Sequence, residues 1–320
     1  MFAVRGIAVS LSIFVVFYSA LSLAVCGVWR NVGLGVLRYS ARRSADLLFA
    51  LRTIPFAVAT GVTFTLAVPS FLLLEPRTVD EAMGAAPVVL GLCGMAILLA
   101  GMWKAATALL RASRTVARWS SEASVIGARP IDSMNSVSVR RISAAAPPLT
   151  VAGILRPSLW LSPAVEFVLT ERELETALRH EVVHVRRRDN LRKLILRLVA
   201  FPGMAELESA WREASEMAAD DGAVSSASEA LDLAAALIKL SRLTPLEPPA
   251  ELTTALVHSP AKSVNARVER LIAWTERRQN AAPGYSLGCA LCAAVAVVAL
   301  AVTYSELLVR VHAATEWLVR

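Results

Sequence analysis

The stretch Arg179-His180-Glu181-Val182-Val183-His184 decides how this chain is read. On an α-helix its two histidines rise one above the other on a single face, about 6 Å apart along the axis. Imidazoles so placed can meet one metal ion. Glu181 stands one residue along, where its carboxylate can lie against a water on the same ion and take its proton, the arrangement of a His-Glu-x-x-His metallopeptidase helix. Helical histidine pairs also occur without a metal, and two histidines alone do not close a site. The surrounding chain has to supply a third ligand and a suitable setting.

That setting is apolar. The 320 residues are 56% hydrophobic and only 18% charged, with a mean hydropathy of +0.54, so membrane spans are expected. Four uncharged stretches are long enough for helices that cross hydrocarbon: residues 6–29, 53–74, 82–103 and 284–305. The first is read as a signal anchor, because its apolar run is too long for a cleaved signal peptide and lacks a small-x-small site. In Leu23-Ala24-Val25-Cys26, Val25 stands where a lipoprotein needs a small residue. Within the second, Pro55, Gly61 and Pro69 mark bends. No ionisable group lies inside a stretch, which argues against a pump or ion pathway. All four cysteines, Cys26, Cys93, Cys289 and Cys292, fall inside the stretches, away from disulfide or thiolate-metal chemistry.

Cations are unevenly spread around these stretches, and cytoplasmic flanks carry the excess. Arg30, Arg38, Arg42, Arg43 and Arg52 follow the first stretch, against Arg5 alone before it. The N-terminus is therefore expected outside. Glu75, Arg77, Asp80 and Glu81 fit the outer side, and Lys104, Arg111, Arg114 and Arg118 return the chain to the inner side. Residues 104–283 then form a cytoplasmic domain and 306–320 a short extracytoplasmic tail of a multi-pass protein in the cell's inner membrane. The net charge of +7 faces anionic inner-leaflet lipid. No nucleic-acid-binding module is recognisable, so direct nucleic-acid contact is not expected.

Within 104–283, alternation and turn residues predict short strands at 136–142, 150–155 and 158–161, a sheet of about three strands. Its edge, beside the histidine helix, suits an extended peptide held by main-chain hydrogen bonds. Thr170-Glu171-Arg172-Glu173 is a capping box opening a helix that runs through His184 to about Ala200, where Phe201-Pro202-Gly203 ends it. Arg186, Arg187, Arg188, Arg192 and Lys193 read as a face turned to solvent or lipid headgroups. A second helix from near Met204 offers the third ligand, since zinc peptidase sites take three side chains and leave one position for water. Glu216 is the expected ligand and Glu213, one turn earlier, its rival. Asp220, one turn later, can accept the second ring N–H of His180 and fix its tautomer. Residues 227–243 predict a helix with Leu231, Ala234, Leu237 and Leu240 on its apolar stripe, residues 244–263 an exposed proline-rich loop, and residues 264–274 a last helix. His258, in that loop, is read as a bystander. Ser259-x-x-Lys262 lacks the companion elements of a penicillin-binding nucleophile.

The order Gly153-Ile154-Leu155-Arg156-Pro157, then Leu174-x-x-x-Leu-x-His-Glu-Val-Val-His-x-Arg-Arg-Arg-Asp-Asn190, then Glu216-x-x-x-Asp220 resembles the BlaR/MecR-type membrane zinc metallopeptidases, a gluzincin family. The resemblance implies a mostly α membrane protein, four transmembrane helices around a cytoplasmic α+β gluzincin-like domain with a small sheet. It implies Zn²⁺ held by His180, His184 and Glu216, Glu181 as general base, and Asp189 and Asp220 supporting the site. Such proteins act in signal transduction, cleaving a cytoplasmic transcriptional repressor or themselves after a signal crosses the membrane. The tail 306–320 departs from the best-known members, whose extracellular penicillin-binding sensor it is too short to form. The expected partners are the lipid bilayer and a protein or peptide substrate, with a repressor as one candidate. Two alternatives remain at this point: a housekeeping peptidase that processes membrane proteins, and a non-catalytic transducer with a structural metal.

Overall fold

The computed structural model describes residues 2–36, 40–75, 84–122, 124–125, 139–141, 148–154, 156–243, 252–255, 261–274, 304 and 306–315. Its first helices are α1 (Phe2–Val36), α2 (Ala41–Val62) continued by a π-helical turn (Thr63–Ala67) and α3 (Val68–Leu74), and α4 (Ala85–Glu122). Among the described residues three helices are long and apolar enough to cross a membrane: Phe2–Asn31, Ala41–Leu74 and Ala85–Ser121. The second begins earlier than the expected 53–74, because its first turns carry Arg42, Arg43 and Asp46, which interrupt hydropathy without interrupting a helix. The third continues past Trp103 into a charged extension. The apolar stretch 284–305 lies outside the described residues except for Tyr304.

The chain divides into two compact units, Met1–Asn31, Leu51–Ala100 and Arg278–Arg320 in one, Val32–Ala50 and Gly101–Arg277 in the other. In the first, the π-helical turn sits between Gly61 and Pro69. Proline has no N–H to give the carbonyl four residues earlier, that of Thr65, and the Tyr304 hydroxyl donates to that oxygen at 2.7 Å. Mid-helix bonding thus accommodates the proline without breaking the helix.

The second unit holds a mixed sheet of five strands in the order β1-β2-β4-β3-β5. These are β1 (Ser124–Val125), β2 (Val139–Arg141), β3 (Leu149–Ala152), β4 (Ser158–Leu161) and β5 (Thr253–Ala255). Only β2 and β4 pair in parallel; β3 pairs antiparallel with both β4 and β5. Gly153, at φ 103°, makes the turn out of β3, where a Cβ would lie 2.7 Å from the Arg156 carbonyl oxygen. The expected three-strand sheet therefore gains two strands. One of them, β5, lies in the segment read as an exposed loop, and the preceding Leu252 is fully buried. Its pairing with β3, a hundred residues away, is invisible to local pattern.

Among the described residues, this unit further holds the helices α5 (Pro163–Val168), α6 (Glu171–Arg187), α7 (Asp189–Leu198), α8 (Ala205–Ala223), α9 (Ala227–Ser241) and α10 (Ala261–Ile272). The capping box opens α6, with the Thr170 amide donating to Glu173 Oε2 at 2.8 Å and the Glu173 amide to Thr170 Oγ1 at 3.4 Å. Such caps contribute about 1 kcal/mol. Lys239 on α9 pairs with the same Glu173 at 2.7 Å, fastening the start of α6. The single helix expected to Ala200 is instead two. Arg188, at φ 54°, ends α6 and starts α7. Leu159, Leu161, Ala177, Leu178, Leu233 and Leu237 join sheet, α6 and α9 in one core. Leu231, expected on the buried stripe of α9, is 54% exposed, and Leu233 takes the inward position. At Gly222 helix α8 comes so close to α6 that a Cβ would sit 3.0 Å from Val183 Cγ2.

Candidate metal centre

Three donor atoms converge where α6 meets α8. His180 Nε2 and His184 Nε2 are 3.2 Å apart. Glu216 completes a triangle, with one oxygen 3.6 Å from His180 Nε2 and the other 3.6 Å from His184 Nε2. These donors lie within 4.8 Å of one another. A tetrahedral ion with ligand bonds of about 2.0–2.1 Å places its donors roughly 3.3 Å apart, so two imidazole nitrogens and a carboxylate oxygen at these separations fit Zn²⁺. Glu213 is exposed and stands outside the cluster. His258 lies outside the described residues.

The environment is closed. His180 and Glu181 have no exposed surface, His184 is 3% exposed and Glu216 9%. Each histidine turns its other nitrogen to a carboxylate: His180 Nδ1 lies 3.0 Å from Asp220 Oδ1, and His184 Nδ1 lies 2.6 Å from Asp189 Oδ2. Once an ion displaces any proton from Nε2, a carboxylate at each Nδ1 keeps the remaining ring proton there and turns Nε2 to the common point. Ser215 Oγ donates to the same Asp189 oxygen at 2.9 Å.

Cations sit behind this acidic group. Arg267 on α10, 1% exposed, donates from Nε and Nη2 to the two oxygens of Asp220 at 2.8 and 2.6 Å. Its Nη1 lies 3.2 Å from Glu216 Oε2. Arg187 Nε is 3.5 Å from Asp189 Oδ2, and Arg192 Nη1 donates to Asp46 Oδ1 on α2 at 2.7 Å. Lys193 faces the charges of Glu216, Asp189 and Glu181. The expected solvent or headgroup face is therefore divided: Arg186 and Arg188 are exposed, whereas Arg187 and Lys193 are half-buried.

These contacts set the protonation of the group. Burial opposes the His180 imidazolium, but the adjacent carboxylates of Asp220 and Glu216 overcome it and lift the pKa to about 9. Burial would raise Glu216; the neighbouring His184, His180 and Arg267 hold it at about 2. Asp189 and Asp220 are likewise buried, yet held below the ordinary carboxylate range, Asp189 by the His184 hydrogen bond and Asp220 by Arg267. Burial pushes Lys193 down, against the pull of Glu216.

A cavity of about 300 Å³ opens beside His184, walled by Val151, Gly153, Pro157, Arg188 and Asn190. Asn190 Nδ2 donates to the Gly153 carbonyl at 3.1 Å, joining α7 to the end of β3. Sequence reading missed Arg267, Ser215 and Asp46. For Arg267 a signal existed: it stands between Val264 and Leu271 on the apolar stripe of α10, where a lone arginine must find buried partners.

Among known proteins, a family model described as BlaR1 peptidase M56 matches residues 74–271, more than half of the chain and all the residues of this cluster. No curated protein matches significantly.

Proposed function

The chain belongs to the BlaR1 peptidase M56 family, and from that membership we propose that it is a membrane-bound zinc endopeptidase that cleaves a protein in signal transduction. A peptidase of this family with three membrane-length helices is a membrane metallopeptidase. The finer reading is carried by one observation: the 3.2 and 3.6 Å triangle of His180, His184 and Glu216, with each histidine backed by its own carboxylate.

Bound Zn²⁺ supplies a Lewis acid and an acidified water. His180, His184 and Glu216 would hold it, with Asp220 and Asp189 keeping both imidazoles in the Nδ1–H tautomer. Glu181, next to His180 on the same helix and fully buried, takes the proton of the attacking water and returns it to the leaving amine.

The metal-site residues share one compact unit with Val32–Ala50. That supports one common side of the membrane for residues 32–50 and for the domain, and the cation excess of Arg38, Arg42 and Arg43 makes the cytoplasm the proposed side; a fourth span at 284–305 and an outer tail at 306–320 are proposed from the sequence alone. A cytoplasmic repressor-like regulator, or the chain itself, is the proposed substrate. The test is Glu181→Gln in cells: the protein should keep its zinc while cleavage of the regulator stops. Full cleavage by a zinc-loaded Glu181→Gln protein would falsify the role of Glu181. Cleavage of many membrane proteins, rather than one regulator, would favour a housekeeping peptidase.

A further inference from the structure

Arg267 is among the largest fully buried side chains of the protein, and burying a guanidinium is costly unless its donors are matched. Its partners account for the burial. Nε and Nη2 hold both oxygens of Asp220 at 2.8 and 2.6 Å, and Nη1 reaches within 3.2 Å of Glu216 Oε2. One planar cation thus touches the carboxylate behind His180 and the carboxylate of the donor triangle. Lysine cannot reproduce that fork, because an ammonium is a single point of charge. One turn further along α10, Arg270 grips Asp221 at 2.5 and 2.6 Å, so the helix is fastened along α8 at two levels.

We propose that Arg267 is the positioning residue of the metal centre: by gripping Asp220 and Glu216 together it fixes the orientation of His180 and of the carboxylate that completes the ligand set. This inference rests on reading His180, His184 and Glu216 as ligands. Neither the acid–base step nor the attacking water uses Arg267, so it acts through the groups it holds.

Charge and geometry predict opposite signs. A buried positive charge beside the site repels a dication, so if Arg267 acted by charge alone, its replacement would tighten metal binding. A positioning residue does the reverse. Its loss frees Glu216 and Asp220 to turn away, and binding weakens.

The experiment uses the full-length protein in detergent micelles, stripped with a chelator. Zn²⁺ is titrated against a chromophoric competitor, and Co²⁺ is followed by its visible d–d absorption. Arg267→Met and Arg267→Lys are compared with Arg212→Met, which removes an exposed pair with Glu208 on α8. Both Arg267 variants are expected to bind Zn²⁺ at least about tenfold more weakly, with Co²⁺ bands weakened toward a site with fewer protein ligands. Arg212→Met should keep the wild-type affinity and spectrum. Arg267→Lys retains a cation opposite Asp220, and so decides the matter if Arg267→Met does not fold. Unchanged or tighter Zn²⁺ binding in a folded Arg267 variant overturns the proposal. A wild-type protein that takes up neither ion overturns the ligand reading beneath it.

Discussion

Asp189 Oδ2 lies 2.6 Å from His184 Nδ1 although a helix boundary separates the two residues. Arg188 turns the chain in the left-handed region, and Asp189 opens the next helix facing the last turn of α6. With Ser215 donating to the same oxygen, one carboxylate ties α6, α7 and α8 together.

Replacing Asp189 by Asn keeps the shape of this junction and removes its charge. Zn²⁺ affinity is expected to fall about 10- to 100-fold, the usual cost of losing a ligand's carboxylate support. Chelator competition on the purified protein measures it. Wild-type affinity would mean that packing alone orients His184.

Arg188 pays for the boundary with backbone strain of roughly 1–2 kcal/mol, the cost of left-handed geometry for an L residue with a side chain. Its side chain is exposed. Arg188→Gly relieves the strain and loses some of the gain to the greater freedom of the unfolded chain. A net stabilisation of about 0.5–1 kcal/mol should raise the urea midpoint, and Arg188→Val should lower it.

The centre should titrate in two directions. His180 is lifted to about 9, so in chelator-treated protein its contribution to stability is complete below its ordinary 6.5 and disappears as pH rises through 9. Glu216, held at about 2, contributes above 4.5 and is lost as pH falls toward 2. Zn²⁺ must displace the His180 proton, so affinity should weaken about tenfold per unit as pH falls below 9, with close to one proton released per ion at neutral pH. Calorimetric titration in two buffers of different ionisation enthalpy counts that proton, and a count of zero would remove the basis for this expectation.

Glu229 guards the start of α9. Its carboxylate accepts from Ser225 Oγ at 2.6 Å, from the Ser225 amide at 2.7 Å and from Arg179 at 2.7 Å. The Ser225 hydroxyl above all holds its pKa at about 2. Glu229→Gln should cost about 1–2 kcal/mol at pH 7. The difference from wild type should shrink as pH falls from 4.5 toward 2, because the wild-type group protonates there; denaturation curves at pH 7 and pH 3 show it.

What could be read in the sequence was local. The Thr170–Glu173 box, the histidine spacing and the Pro202-Gly203 stop each sit within one or two helical turns, and each stands where its pattern places it. The boundary at Arg188 carries no glycine or proline, so nothing in the residue type announces it. Strand β5 is made of two threonines and an alanine, too short for alternation to show, and depends on β3 for its existence. Arg267 and Asp220 are 47 residues apart, and only folding shows that the inward cation of α10 and the inward acid of α8 are meant for each other.

Gly222 shows what governs the dimensions of the centre. Glu216 stands on the same helix, about 9 Å along its axis, and Val183 neighbours His184, so the gap at residue 222 acts as a gauge for how far the carboxylate stands from the imidazoles. A methyl group there would meet Val183 Cγ2 at 3.0 Å, and a shift of a few tenths of an ångström is comparable to the tolerance of a metal–ligand bond. Gly222→Ala should therefore loosen ion capture without touching a ligand, and trimming Val183 to Ala in the same chain should restore it.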